Sequence, residues 1–315
     1  MTADLLLAVD GGGTKTRAVV TDLQGAVLAR GRGPSSNMHN VGFEESCRAL
    51  ETAIAGALAQ VPGRGLPVGA GPGTPFAAAC FGLSGVDAPQ DEAQVSAWVR
   101  ARGIAPRFAV VNDAELVLAG GSPEGWGVAL ISGTGSVCLG RAQDGRTARV
   151  GGWGPLLGDE GSGYDIAIRA MRTAAQTADG RAQAPALLEA VLRHWSVAAP
   201  AELIRFVHAP SLTTADIAGF APVVLEMAAR GDAAAAAVVG QAARELARYV
   251  DVVVEALGLC HPPLALAGGL LQGTFRDTVA AAITSPLGPS TFVVEPETGA
   301  VVLARRLLSE PAQVN

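Results

Sequence analysis

Long apolar runs, paired cysteines and an excess of positive charge are missing from these 315 residues, and lysine is nearly so. No stretch reaches the roughly 18 residues that a membrane helix needs, and the alanine run at 233–237 is short and bracketed by charge, so no membrane partner is expected. No basic segment precedes Leu5, so no secretory leader is expected, and the protein is expected to be cytoplasmic. Cys47, Cys80, Cys138 and Cys260 lie far apart, with no pair at metal-ligand spacing, and are read as small buried apolar side chains. The four histidines are equally scattered, and no structural zinc is expected. A net charge of −6 argues against nucleic acid, whose phosphates ask for a basic face. Lys15 is the only lysine in the chain.

What the chain has instead is glycine, 40 residues of it, and the most informative glycines form a hairpin that occurs twice. Asp10-Gly11-Gly12-Gly13-Thr14-Lys15-Thr16 follows an apolar strand at 5–9 and precedes another at 18–21. Ser132-Gly133-Thr134-Gly135-Ser136 sits in the same way between 128–131 and 137–139. A second turn follows in each copy, at 22–25 and at 142–145, so the pattern reads as an internal duplication. Glycine lets backbone N–H groups converge on an anion, and two such loops suggest a phosphate chain held from both sides. The Walker loop and the dinucleotide fingerprint both require a helix after the glycines, whereas residues 17–20 alternate like a strand. Lys15 fits a charge reaching toward phosphate, and a solvated turn lysine fits as well.

The first half alternates strands with helices expected at 43–61 and 87–102, around a buried strand at 76–83 and another at 108–111. Residues 62–75, rich in Gly and Pro, read as a surface loop. The second half repeats the three-stranded start. Helices are then expected at 164–174, 186–195, 201–208, 213–230 (kinked at Pro222) and 233–257. A short strand at 264–267 leads to Gly268-Gly269 opening a helix at 270–283, and a strand at 292–294 closes the sheet. The expected division is an N-terminal domain at 1–120 and a C-terminal domain at 121–295 with a helical insertion. A last helix at 296–310 is expected to pack back on the first domain.

Several residues point to chemistry. Asp113 follows a buried strand, at the edge where open α/β sheets place ligands. It can accept a proton from an attacking hydroxyl, or it can cap a helix at 114–119. Asp10 opens the first hairpin and is the best-placed oxygen for a divalent ion on phosphates, or else a turn aspartate bonding its own loop. Residues 151–163 combine six glycines, too many for a helix, with Trp153, Asp159 and Glu160. That set suits sugar hydroxyls, while the plain alternative buries Trp153 and uses Asp159 to cap a helix beginning near Ser162. Asn37 and the Gly268-Gly269 pair are weak signals alone.

Taken in order, the motifs are specific. Asp10-Gly-Gly-Gly-Thr-Lys-Thr, Ser35-Ser36-Asn37, Gly82-Leu-Ser-Gly85, Asn112-Asp113-Ala114, Ser132-Gly-Thr-Gly-Ser136, Gly151-Gly-Trp-Gly154, Gly158-Asp-Glu-Gly-Ser162 and Ala267-Gly-Gly269 resemble the N-acetylglucosamine kinase group of the BadF/BadG/BcrA/BcrD ATPase family, over nearly the whole chain. The resemblance implies an α/β fold of two duplicated actin-like (ribonuclease H-like) domains with a central cleft, binding ATP and a sugar. It implies that Asp113 is the base activating the sugar 6-hydroxyl, and that Asn37, Thr134, Gly152, Trp153 and Asp159 line the sugar pocket. Gly11, Gly12, Gly13, Thr14, Lys15 and Thr16, with Gly133, Thr134, Gly135 and Ser136, would hold the phosphates. Gly268 and Gly269 would lie against adenosine, and Asp10 would position Mg2+ through water. The cysteine pair of the related dehydratase activases and the zinc-binding cysteines of ROK sugar kinases are both absent. The resemblance suggests a homodimer, which the residues themselves leave open. The expectation is an ATP-dependent kinase making the 6-phosphate of N-acetylglucosamine or a close amino sugar. Alternatives are a kinase for glucose, glucosamine or N-acetylmuramic acid, and an ATPase switch acting on a partner protein.

Overall fold

Strict alternation along the first strand decides how the first half packs. Leu5, Leu7 and Val9 point to one face and Leu6 and Ala8 to the other, and all five are buried, so the strand must be covered on both sides. The structure, a computed structural model, describes residues 4–62, 74, 76–122 and 124–309. The surface loop expected at 62–75 lies almost wholly outside these residues.

The chain divides into two compact units, Met1–Trp126 with Thr291–Asn315, and Gly127–Ser290. In the first, strands β1 (Leu5–Gly11), β2 (Thr16–Asp22), β3 (Val27–Gly33), β4 (Phe76–Leu83) and β5 (Phe108–Asn112) form one sheet in the order β3-β2-β1-β4-β5. The β1–β2 and β2–β3 pairs are antiparallel, and β1–β4 and β4–β5 are parallel. A one-turn helix α1 (Met38–Val41) precedes α2 (Phe43–Leu58), which packs on one face of the sheet. Helix α3 (Pro89–Ala101) contributes Val95, Trp98 and Val99 to the same core. Helix α4 (Asp113–Gly121) covers the other face together with the C-terminal helix, described last.

The second sheet is built from β6 (Gly127–Ser132), β7 (Ser136–Arg141), β8 (Thr147–Gly151), β9 (Leu264–Ala267) and β10 (Ser290–Phe292). Its order, read from the opposite edge, is β8-β7-β6-β9-β10, the order of the first sheet strand for strand. The β6–β7 and β7–β8 pairs are again antiparallel and β6–β9 parallel. The two like-ordered sheets are the internal duplication that the paired hairpins imply, in the α/β, actin-like arrangement expected from the resemblance.

Between β8 and β9 run α5 (Gly163–Ala178), α6 (Pro185–His194), a 3₁₀ turn at Pro200–Glu202, α7 (Leu203–Val207), α8 (Thr214–Ala218), α9 (Ala221–Ala229) and α10 (Ala233–Leu257). Helix α11 (Gly273–Ala282) follows β9, and α12 (Glu297–Ser309) ends the described chain. Helix α10 starts on an Asp232 cap bonded to the Ala235 amide and ends on Gly258 in the left-handed region.

Four expectations need correction. Residues 213–230 form two helices, because a Thr213–Asp216 capping box starts α8 and the chain restarts at Ala221 with Pro222 in the first turn. The last strand lies at 290–292. Gly268-Gly269 does not open a helix: Gly268 is at φ +97°, and α11 begins only at Gly273. Cys260 is exposed, while Cys47, Cys80 and Cys138 are buried.

Helices α4 and α12 approach so closely that a Cβ on Gly299 would overlap the Leu116 carbonyl oxygen. Gly299→Ala should therefore force the two helices apart, costing about 3 kcal/mol, the upper end of overpacking. A drop in thermal melting temperature of several degrees checks this.

Candidate active site

In the first unit the parallel strands finish together. Asp10 pairs in register with Gly82, Gly11 with Leu83, and Leu83 with Asn112, so the C-terminal ends of β1, β4 and β5 form one edge. Open α/β sheets bind ligands at this edge. Asn112 caps α4, its side chain accepting from the Ala114 amide at 3.1 Å and donating to Asp87 at 3.0 Å. Asp113 is thus the first residue of the helix and not its cap, at the end whose amides favour a carboxylate.

The first hairpin closes with the Gly12 amide on the Lys15 carbonyl at 2.9 Å, and Gly13, Thr14 and Lys15 are exposed. Its base is fixed by neighbours. The buried Thr16 hydroxyl donates to the Pro34 carbonyl at 2.6 Å and shares a hydrogen bond with the Ser36 hydroxyl at 2.9 Å, and the Ser84 amide donates to the Gly11 carbonyl at 2.8 Å. A Cβ on Gly11 would overlap Ser36 and Leu83. Asn37 joins the group by donating to Ser84 Oγ at 2.8 Å while accepting from the His39 amide at 3.0 Å. An amide carries two N–H groups, and Ser84 engages one.

Asp10 is pushed up to about 7, first by burial and then by the charges of Asp113 and Glu297, against the opposing pull of Arg17 and Lys15. Glu297, 3 % exposed at the start of α12, bridges Arg17 at 3.2 Å and Arg30 at 3.1 Å. Sequence reasoning missed it: an acid opening a C-terminal helix reads as a surface residue.

The second unit gathers its candidates around the second hairpin, closed by the Gly133 amide on the Gly135 carbonyl at 2.9 Å. Three residues, 133–135, separate the paired Ser132 and Ser136, against four between Gly11 and Thr16. Ser136 is the hub. Its amide donates to Asp159 Oδ1 at 3.2 Å, its hydroxyl to the Glu160 carbonyl at 2.8 Å, and its carbonyl accepts from the Gly152 amide at 2.9 Å. Arg149 also holds Gly152, donating to its carbonyl at 3.0 Å. At the start of α5 the Gly163 amide donates to the Gly133 carbonyl at 2.8 Å, and the Tyr164 amide to Thr134 at 3.4 Å. Gly268 lies against the backbone of Ser132, where a Cβ would overlap it, and the Leu270 amide donates to the Ser132 carbonyl at 3.2 Å.

Thr134, Gly152, Asp159 and Gly268 therefore meet at one hairpin. Asp159 does not cap α5; Ser162 does, bonding the Asp165 amide at 3.2 Å. Asp159 instead adopts φ +60°, which aims its buried carboxylate back at Gly135 and Ser136. Trp153 is 72 % exposed, and with Leu156 at 92 % and Leu157 at 78 % forms an apolar loop tip, contrary to the buried alternative. Sequence reasoning also passed over Tyr249. Its buried phenol donates to the Glu160 carboxylate, and burial and that carboxylate raise it. A tyrosine on the apolar face of a helix, between Leu246 and Val250, was the signal, since a buried hydroxyl needs a partner. Among the described residues no group of three His, Cys, Asp or Glu is placed to hold a metal ion, and no helix is long and apolar enough to cross a membrane.

The Asp10 shift sets a pH signature. An acid raised in the folded state favours folding when protonated, so stability declines as pH climbs from the ordinary value of 3.8 to about 7. The full effect is of order 4 kcal/mol. Asp10→Asn should melt higher than the unmodified protein at pH 8, with the gap closing toward pH 4, as thermal melts across that range would show.

The chain is similar to known proteins over most of its length. A kinase of Clostridium acetobutylicum named for N-acetylmuramic acid and N-acetylglucosamine is 35% identical over 269 residues, 85% of each chain. The N-acetyl-D-glucosamine kinase of Dictyostelium discoideum is 30% identical over 323 residues, covering 96% of this chain and 98% of its own. The crystal structure of a Chromobacterium violaceum protein described as a candidate N-acetylglucosamine kinase superposes with a TM-score of 0.75 at 28% identity, covering 96% of this chain and 99% of that one. The model of one family matches residues 7–304, and with it the chain belongs to the BadF/BadG/BcrA/BcrD ATPase family.

Proposed function

We propose that the protein is an ATP-dependent kinase that phosphorylates the 6-hydroxyl of N-acetylglucosamine or a close amino sugar. The observation that carries this reading is the placement of Asp10 and Asp113 on one strand edge beside a glycine hairpin, close enough for each charge to bear on the other. Phosphoryl transfer needs positioning and charge neutralisation more than covalent chemistry, and both are prepared here.

In this reading Asp113 accepts the proton of the attacking hydroxyl. The hairpin of Gly11, Gly12, Gly13, Thr14, Lys15 and Thr16 holds phosphate oxygens, as does that of Gly133, Thr134, Gly135 and Ser136 in the second unit. Gly268 and Gly269 receive the adenosine. Asn37, Thr134, Gly152, Trp153 and Asp159 bind the sugar, the indole offering a flat apolar surface and the carboxylate accepting hydroxyls. The residues fit a magnesium ion. One carboxylate plus phosphates and water is its usual shell, and the burial and neighbouring negative charge that raise Asp10 are what a cation offsets. When bound, Mg2+ neutralises charge on the phosphate oxygens, with Asp10 holding it through water. A cytoplasmic homodimer belongs to the same reading.

The relatives' names support amino sugars as substrates, and the Clostridium name extends to N-acetylmuramic acid. ADP release measured with N-acetylglucosamine, glucosamine, glucose and N-acetylmuramic acid should rank the first highest. Asp113→Asn should lower sugar phosphorylation by about 10²–10⁴-fold while ATP binding persists. Near-normal turnover in that variant, or ATP hydrolysis without any phosphorylated sugar, would remove the assignment.

A further inference from the structure

The segment that enters and leaves the proposed sugar loop, residues 151 to 160, touches one side chain at both ends. That side chain is Tyr249 of α10, 89 positions along the chain from Glu160. At the start of the loop its ring fills the space where a Cβ on Gly151 would stand, and Gly151 is at φ +78°. At the end of the loop its hydroxyl donates to the Glu160 carboxylate. The Ser136 hydroxyl lies within hydrogen-bonding reach of the same phenol, and Ser136 also binds Asp159, the Glu160 carbonyl and the Gly152 amide. Helix α10 is long, capped at both ends and buried along one face through Leu246, Val250 and Val253, so it is a rigid post. Within the loop the Gly158 amide donates to the Gly154 carbonyl at 2.8 Å, and the tip of Trp153, Leu156 and Leu157 is exposed.

We propose that Tyr249 is a positioning residue for sugar binding: through the Glu160 carboxylate and the Gly151 backbone it fixes both feet of the loop that carries Gly152, Trp153 and Asp159. The proposal rests on the reading of this loop as the sugar site. Tyr249 acts through the loop, its hydroxyl bound to the Glu160 carboxylate. It sets the distance between the loop's ends, and so the angle at which Trp153 and Asp159 present their side chains. The Glu160 side chain transmits that constraint, while its carbonyl is tied independently to Ser136.

Steady-state kinetics on the full-length protein test this. Tyr249→Phe keeps the ring under Gly151 and removes only the hydroxyl, so the KM for N-acetylglucosamine should rise about tenfold, the size of one hydrogen bond to a charged group. The KM for MgATP should stay within about twofold. Glu160→Ala should match it, Glu160→Gln should stay close to the unmodified enzyme because the amide oxygen still accepts, and Tyr249→Phe/Glu160→Ala should be no worse than either single variant. A sugar KM unchanged in both Tyr249→Phe and Glu160→Ala, even with a lowered melting temperature, would reduce the pair to a structural contact and overturn the proposal. Multiplying effects in the double variant would overturn it too. If the unmodified protein phosphorylates no amino sugar, the substrate reading itself falls and this proposal with it.

Discussion

A turn of backbone amides can hold phosphate only if the strands entering it do not move, and in both halves one buried hydroxyl prevents that movement. Thr16 is the first residue of β2 and Ser136 the first residue of β7. Each donates to the backbone of the loop that follows the third strand of its own unit, Thr16 to Pro34 and Ser136 to Glu160. Both side chains are buried, where a missing partner would cost more than the bond contributes. The duplication therefore extends beyond strand order to a shared device that ties the hairpin base to a recognition loop. In the first unit that loop leads to Asn37; in the second it carries Trp153 and Asp159.

Charge is arranged less symmetrically. In the first unit burial, and then the charges of Asp113 and Glu297, outweigh the pull of Arg17 and Lys15 and leave Asp10 reluctant to ionise. A buried carboxylate held beside like charges works against stability at neutral pH. Such crowding is characteristic of sites that bind cations or move protons. Glu297 gives Arg17 and Arg30 a buried partner while adding to the charge that raises Asp10, and the close fit of Gly299 on α4 keeps α12 where Glu297 can reach them.

The strands, the hairpins and the repeat were legible because their signals are local: alternation over residues 5–9, a glycine cluster, then alternation again. The family motifs were legible for the same reason. Boundaries were less so. Asn112 and Asp113 are both good cap residues, and only the bond from Asn112 to the Ala114 amide shows which one caps. Residues 213–230 carry helical spacing throughout, yet the capping box at Thr213 and the restart at Pro222 split them. Nothing adjacent to Trp153 announces that its loop turns outward, since four of its neighbouring glycines adopt positive φ and aim the chain by backbone geometry alone. Tyr249 and Glu297 stayed hidden because their partners lie 89 and 280 positions away, and a pairing over that distance leaves no periodic trace.

The scarcity of lysine has a practical side. Lys15, the one side-chain amine in the chain, is exposed at the tip of the first hairpin. Acylating reagents that scatter over the surface of most proteins have here a single lysine to find, and it stands on the loop that faces the phosphates in the proposed reading. A chemically unique handle thus coincides with the part of the molecule whose occupancy matters most, which makes the protein its own site-selective reporter.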